Sequence, residues 1–335
     1  MSPAAKLWLR IFLAGFVIIT GLLILTLFTP PYYGDLSRIG RLSEREFGWR
    51  LPPPTVPAEH LKGVPIDQAD ILVIGDSFSM TFRWQSELVK AGHKVTTIYW
   101  GQIGVLCSDF NPWLRRAGFH GKLVIVESVE RLLDERLKDG EKCATMPRDP
   151  EVKTEPFWTS PPQVPGFEFN TGAKLMTGLI TYSNTREALR SAQDTRFGET
   201  QVRKVADGCA LFSHRSCDRA LFFGEDVSNG PLDETSVTRM QAFTQTHPDV
   251  PLLWMIIPNK TTVYIEPDNS KPFVQALART KLGPDLFGFA RQQYTGTRDL
   301  YFPNDTHLSM HGQLALGRRM AEAVRNVLPT AAVAP

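Results

Sequence analysis

The sequence predicts a doubly wound α/β domain built on a parallel sheet, carrying a large insertion and preceded by one N-terminal transmembrane helix. Three observations predict it. Residues 11–28 (IFLAGFVIITGLLILTLF) are apolar without a charge. Four short apolar or β-branched runs alternate with helical stretches, the pattern of strands buried on both faces. About a hundred residues between the third and fourth runs exceed an ordinary connection.

The elements follow in chain order. Residues 11–28 as a helix would extend roughly 27 Å, about the thickness of a bilayer's hydrocarbon. Lys6 and Arg10 precede the run, Pro30 and Pro31 stop it, and Tyr32 and Tyr33 suit the interface. Residues 1–10 are therefore read as a cytoplasmic N-terminus and 11–30 as an uncleaved signal-anchor. The alternative is a cleaved signal peptide, but no A-x-A site follows the run. The short basic N-terminus and the large following body orient the body outside the cytoplasm, giving a single-pass protein of the inner membrane with its domain in the periplasm.

Residues 31–66 are polar and proline-rich (LPPPTVP at 51–57) and read as a tether. The domain proper is expected over 67–328. Its strands are ILVIG at 71–75, KVTTIYW at 94–100, KLVIVES at 122–128 and VPLLWMIIP at 250–258, with RDLYF at 298–302 as a possible fifth. A helix is expected over 80–91 and an amphipathic closing helix over 311–328. The insertion spans about 132–240, and 329–335 read as a disordered tail.

Composition removes several function classes. The 335 residues hold 37 Lys and Arg against 35 Asp and Glu. A chain so near neutrality lacks the basic surplus that nucleic-acid binding requires. Four cysteines without a CxxC spacing argue against a zinc ribbon. In an oxidising compartment Cys107, Cys143, Cys209 and Cys217 are disulfide candidates; the nearness of Cys209 and Cys217 suggests one local bridge, leaving Cys107 with Cys143, although three pairings exist. Buried free thiols are the alternative. His307 and His311 have an i, i+4 spacing, but neither a HExxH glutamate nor a third ligand accompanies them, and no metal or cofactor is expected.

The chemistry is expected at the carboxyl ends of the strands. Gly75-Asp76-Ser77-Phe78-Ser79 closes the first strand and opens a helix, placing Ser77 beside backbone N–H groups; taken alone, Ser77 reads first as an N-cap. At the other end of the chain Asn304-Asp305-Thr306-His307 supplies a base, His307, and a carboxylate to orient it, Asp305. Together they predict a Ser-His-Asp site.

With these motifs the sequence resembles the SGNH/GDSL hydrolase superfamily, and more narrowly the SGNH-like O-acetyltransferases of bacterial exopolysaccharides, alginate among them. GDSFS resembles the first block of the superfamily and the terminal Asp/His loop its last. VIVESVER at 124–131 and IIPNKTTVY at 256–264 are similar to segments of the acetyltransferases, and Asp305 stands two before His307 as in that group. The order of Asp-x-His after the serine is that of ordinary SGNH enzymes. The GxND block is missing, WGQIG at 100–104 stands in its place, and Glu127-Ser128 replaces the usual Asn. Gly101 and Gly104 are accordingly oxyanion candidates, with Arg131, Asn259 and Lys260 as substrate candidates, although Arg131 reads equally as a salt-bridge partner on a helix surface; Asn304 is a spectator or an alternative orienter. The resemblance implies an SGNH-like fold and an O-acetyltransferase that modifies a polysaccharide acceptor through an acyl-serine. It further implies a multispanning membrane-bound O-acyltransferase as the partner that supplies acetyl groups. A carbohydrate acetyl esterase shares every residue named, and an inactive polysaccharide-binding assembly subunit is the non-enzymatic rival.

Overall fold

The computed structural model describes residues 1–146, 150, 152–161 and 163–328, apart from the side chain of Leu175; the expected tail at 329–335 lies outside the described residues. The strands are β1 (Ile71–Gly75), β2 (Val95–Tyr99), β3 (Leu123–Val129), β4 (Thr195–Phe197), β5 (Thr200–Lys204), β6 (Arg219–Phe223) and β7 (Leu252–Ile257). The chain forms two compact units: the first from Met1–Arg50, Val164–Phe222 and Pro303–Asp305, the second from Leu51–Gln163, Phe223–Phe302 and the remainder beginning at Thr306.

The second unit holds the parallel sheet, in the order β2-β1-β3-β7. Ile71 pairs with Val95 on one side and Leu123 on the other, and Val124 pairs with Leu252. Every residue of β1, β3 and β7 is buried, which is why these strands read as continuous apolar runs. Side chains alternate between two cores. Leu72, Ile74, Val124, Val126, Trp254 and Ile256 belong to one, with Trp113 and Phe273; Ile71, Val73, Ile125, Leu253 and Met255 belong to the other, with Trp84, Leu316 and Met320. The closing helix Met310–Val327 buries Leu316, Met320 and Val324 against that second core.

Three expectations are corrected here. The run 298–302 is not a strand; only Tyr301 and Leu308 form an isolated bridge, and Asp299 takes a positive φ of 52° that ends extended structure. The helix expected from residue 80 shrinks to Ser86–Lys90 after one 3-10 turn at Ser77–Ser79. Of the expected insertion, residues 132–146, 150, 152–161, 163 and 223–240 belong with the sheet unit, where Lys153 bridges Thr97.

The first unit contains the apolar helix Pro3–Leu27, long and apolar enough to cross a membrane (mean hydropathy 2.3 over its best window). It also contains a small sheet in the order β4-β5-β6, with β4 and β5 antiparallel. Residues 31–50 differ from the expected tether: they form short helices at Asp35–Gly40 and Glu44–Phe47, and Leu36, Leu42 and Phe47 are fully buried. Apolar residues spaced through a polar, proline-rich segment carry that core, which composition alone does not reveal. Two cysteine pairs lie at bonding distance, Cys107–Cys143 (Sγ–Sγ 2.03 Å) in the sheet unit and Cys209–Cys217 (1.91 Å) in the other.

Candidate active site

β1 ends at Gly75, and the chain turns at once. Asp76 stays extended (φ −91°, ψ −158°) and its Oδ1 accepts the Phe78 N–H at 3.1 Å, so Asp76, rather than Ser77, caps the 3-10 turn. Gly75 is required by close approach: an added Cβ would collide with the Ser79 side chain and lie 2.9 Å from Glu127 Oε2. Phe78 and Ser79 are buried and Ser77 is half-exposed. His307 Nε2 lies 2.7 Å from Ser77 Oγ. The structure thus brings together a hydroxyl and an imidazole separated by 230 residues.

The His307 loop is held at several points. The Phe302 N–H donates to the His307 carbonyl (3.1 Å) and the Ser309 N–H to the Leu300 carbonyl (3.1 Å). Ser309 Oγ then accepts the N–H groups of His311 (3.2 Å) and Gly312 (3.3 Å), starting the closing helix. The imidazole meets two rings: Phe78 at 4.8 Å between centroids and Trp158 at 6.3 Å, edge-on. Trp158 is 47% exposed and its backbone N–H donates to the Met80 carbonyl, so it stands beside the serine turn with an open face. The neighbouring Phe157 instead packs on Phe82 and Tyr99.

Beneath Ser77 lies a buried carboxyl pair. Glu127 Oε2 accepts the Asp76 N–H (2.8 Å) and the Ser79 hydroxyl (2.7 Å). Asp76 Oδ2 accepts the Val129 N–H (3.0 Å) and Arg136 Nη1 (3.0 Å), and Arg136 also donates to Ser128 Oγ (2.7 Å) while stacking over Trp100. Burial and the adjacent Asp76 charge push Glu127 well above the carboxylate range. Burial works on Asp76 in the same direction, but the Arg136 charge and the Val129 and Phe78 N–H groups outweigh it and hold Asp76 below its ordinary value. Glu127 therefore keeps a proton while Asp76 stays ionised. Glu127 Oε1 accepts from no N–H or O–H donor among the described residues, as suits the oxygen that carries the proton.

Asp305 falls in the first unit, two residues before His307, and its Oδ2 accepts the Asp35 N–H at 2.8 Å. Asn304 is fully buried in that unit and donates through Nδ2 to Glu44 Oε2 (2.7 Å), a structural role rather than that of an orienter. Gly104 spends its N–H on the Trp100 carbonyl (2.7 Å) to close the turn Trp100–Ile103, so that amide does not serve an oxyanion; Gly101 lies within the turn. Asn259 and Lys260 are fully buried, and Arg131 is held by an ion pair at the edge of a polar surface pocket. Arg131 pairs with buried Asp226 (3.2 Å); Asn259 accepts the Arg131 N–H and donates to the Asp226 carbonyl; Lys260 Nζ donates to the Phe302 carbonyl (2.6 Å). They brace the strand ends and the stem of the His307 loop. His311, half of the discounted pair with His307, binds the Pro52 carbonyl through Nε2 (2.9 Å).

Sequence reading missed Arg136 and the ionisation split between Asp76 and Glu127. The signal available was two acidic residues at adjacent strand ends, which the sheet must bring together and which need a cation nearby. Comparison with known protein families, curated proteins and solved structures returns no match to this chain.

Proposed function

We propose that this protein is a membrane-anchored O-acyltransferase, acting outside the cytoplasm on a polysaccharide through an acyl-serine on an SGNH-like fold. The observation that carries the reading is the 2.7 Å approach of His307 Nε2 to Ser77 Oγ beyond the carboxyl end of β1. In the first step Ser77 Oγ attacks the acyl carbonyl of a donor ester as its proton passes to His307 Nε2; the departing alkoxide takes that proton. In the second, His307 removes the proton of a sugar hydroxyl, whose oxygen attacks the acyl-serine; the sugar ester forms and Ser77 regains its hydrogen. Asp305 is assigned to orient His307. The Phe78, Ser79 and Met80 N–H groups are engaged within the turn, so the Ser77 N–H is the amide of this turn assigned to the oxyanion.

Transfer requires a sugar oxygen to outcompete water at the acyl-enzyme. Effective molarities of roughly 10⁵ M or more achieve this when the acceptor is held in place, and the open face of Trp158 beside His307 supplies a stacking platform for a sugar ring. The apolar helix Pro3–Leu27 and the two cysteine pairs support a body in the periplasm, facing an oxidising compartment. No acetyl-coenzyme A pool exists there, so a multispanning membrane-bound O-acyltransferase is the proposed source of acyl groups.

The test incubates the full-length protein in detergent with an activated acetyl ester and a panel of oligosaccharides. An acetyl adduct on Ser77, with acetylated sugar exceeding free acetate for one oligosaccharide, is the expected result. Free acetate alone would move the assignment to a carbohydrate esterase. Absence of both adduct and turnover would leave a polysaccharide-binding subunit.

A further inference from the structure

A cavity lies wholly within the first unit, where the apolar helix Pro3–Leu27 ends. Its volume is about 540 Å³, and its lining includes Phe28, Pro30, Leu189, Arg45, Arg186 and Arg190. The helix Leu175–Arg190 forms one wall. Its Gly178 admits the chain closely: an added Cβ would lie 2.6 Å from Thr29 Oγ1. The Asn170 N–H donates to the Leu27 carbonyl at 2.9 Å, and Phe28 packs on Phe167 and Phe169 at 6.1 and 5.5 Å. The cavity is thus fixed at the level where an inserted helix leaves the hydrocarbon.

Its charge is one-sided. Arg45, Arg186 and Arg190 are exposed, and no carboxylate among the described residues pairs with any of them. Arg186 lies over the Tyr182 ring at 5.9 Å. The one acidic residue of the lining, Glu46, has its carboxylate engaged by Arg215 (3.2 Å) and Ser216 Oγ (3.0 Å). Three guanidinium groups without a counter-charge, around a cavity with an apolar side, match a phosphate joined to hydrocarbon. Exposed Phe167, Phe169, Met176 and Leu179 continue the apolar surface from the end of the helix.

We propose that this cavity binds the headgroup of an anionic phospholipid, with Arg45, Arg186 and Arg190 on its phosphate and Phe28, Pro30 and Leu189 against the first methylenes of its chains. The proposal needs the helix Pro3–Leu27 to sit in a bilayer and is independent of the acyl-transfer chemistry. Such a site would fix the height and rotation of the first unit on the membrane surface.

Full-length protein in mild detergent is titrated with phosphatidylglycerol and, separately, with phosphatidylcholine, and bound lipid is read by native mass spectrometry. Phosphatidylglycerol is expected to bind in preference. The triple variant Arg45→Gln/Arg186→Gln/Arg190→Gln should weaken it by about fivefold per arginine, roughly a hundredfold in all, with phosphatidylcholine unaffected. The corresponding triple Lys variant, which keeps the charge, should retain most of the preference. Vesicle flotation of each variant reports insertion of the helix separately. Equal binding of the two lipids, or an unchanged triple Gln variant, overturns the proposal. So does displacement of the lipid by inorganic phosphate at similar concentration, which would mark a soluble-anion site. Loss of a co-purifying protein instead of a lipid in the Gln variant would overturn it in favour of a protein partner.

Discussion

Replacing Glu127 with Gln tests the buried pair beneath Ser77. In the unfolded chain Glu127 ionises near 4.5; in the folded unit burial and Asp76 keep its proton on. Its contribution to stability is complete below the unfolded value and declines as pH rises toward the folded one, because the unfolded chain releases a proton that the native state retains. Over that interval the loss is about 1.4 kcal/mol per pH unit. Gln cannot ionise, so the variant lacks this slope. Its amide oxygen can accept the Asp76 N–H and Ser79 hydroxyl as Glu127 Oε2 does, and its NH₂ takes the place of Oε1 beside the Asp76 carboxylate. Asp76 has the opposite sign: its depressed value makes stability fall only as pH drops below about 3.8, outside the interval that matters. Burial also raises Glu44, Glu130 and Asp226, but it does so equally in both proteins. Denaturant unfolding of wild type and Glu127→Gln from about pH 5 to 8 should show the variant gaining on the wild type as pH rises. Parallel curves would mean that Glu127 is ionised in the native state, and the carboxyl-carboxylate pair would be wrong.

Ser77→Ala and His307→Ala should each reduce acyl transfer by roughly 10³-fold or more while leaving the melting temperature nearly unchanged, since the two act as a unit; turnover of an acetyl ester and thermal unfolding check both. Asp305→Asn should lower the same turnover roughly 10³- to 10⁴-fold, whereas Asn304→Ala should mainly lower stability, because Asn304 is buried against Glu44; the reverse ranking would remove Asp305 as orienter. Arg136→Met should destabilise by about 3–5 kcal/mol, measured by denaturant unfolding, by leaving the Asp76 charge buried and unpaired. Cys107→Ser/Cys143→Ser should cost about 4 kcal/mol and Cys209→Ser/Cys217→Ser about 2.5 by loop entropy alone, the separations being 36 and 8 residues; equilibrium unfolding of each double variant checks the order.

The parallel sheet was legible because strands buried on both faces can hold almost nothing but apolar residues, and Ile71–Gly75, Leu123–Val129 and Leu252–Ile257 follow that constraint. Ser77 and His307 were legible because each stands just outside such an element, where the chain must turn. The roles of Arg131, Asn259 and Lys260 were not. Position at a strand end says that a side chain is near the sheet edge, not whether it faces solvent, and here Asp226, from the long connection, turns Arg131 inward. Residues 31–50 were misread for a related reason: a core of Leu36, Leu42 and Phe47 is spread too thinly along the chain to make a periodic signal, and it closes only with residues far away, such as Thr200, whose hydroxyl donates to the Leu36 carbonyl. In the proline-rich run, which has no periodicity, Phe157 and Trp158 read alike as sugar-stacking or core residues, and only the structure separates them.

The pairing of β3 with β7 joins Val124 to Leu252, and the two catalytic candidates lie farther apart still. A chain emerging N-terminus first completes β2-β1-β3 long before β7 or His307 exists. Until then the edge of β3 carries unmatched amides and carbonyls, a template for pairing with another chain. The hazard is local to the membrane surface if Pro3–Leu27 is already inserted, since tethered chains are crowded in two dimensions. Cys107 and Cys143, both translated before β7, can close the loop across β3 meanwhile and restrict the partly made sheet. Folding yield, more than the stability of the finished protein, is where loss of that bridge should be felt, and the Ser77 hydroxyl stays without its imidazole until the last tenth of the chain has been made.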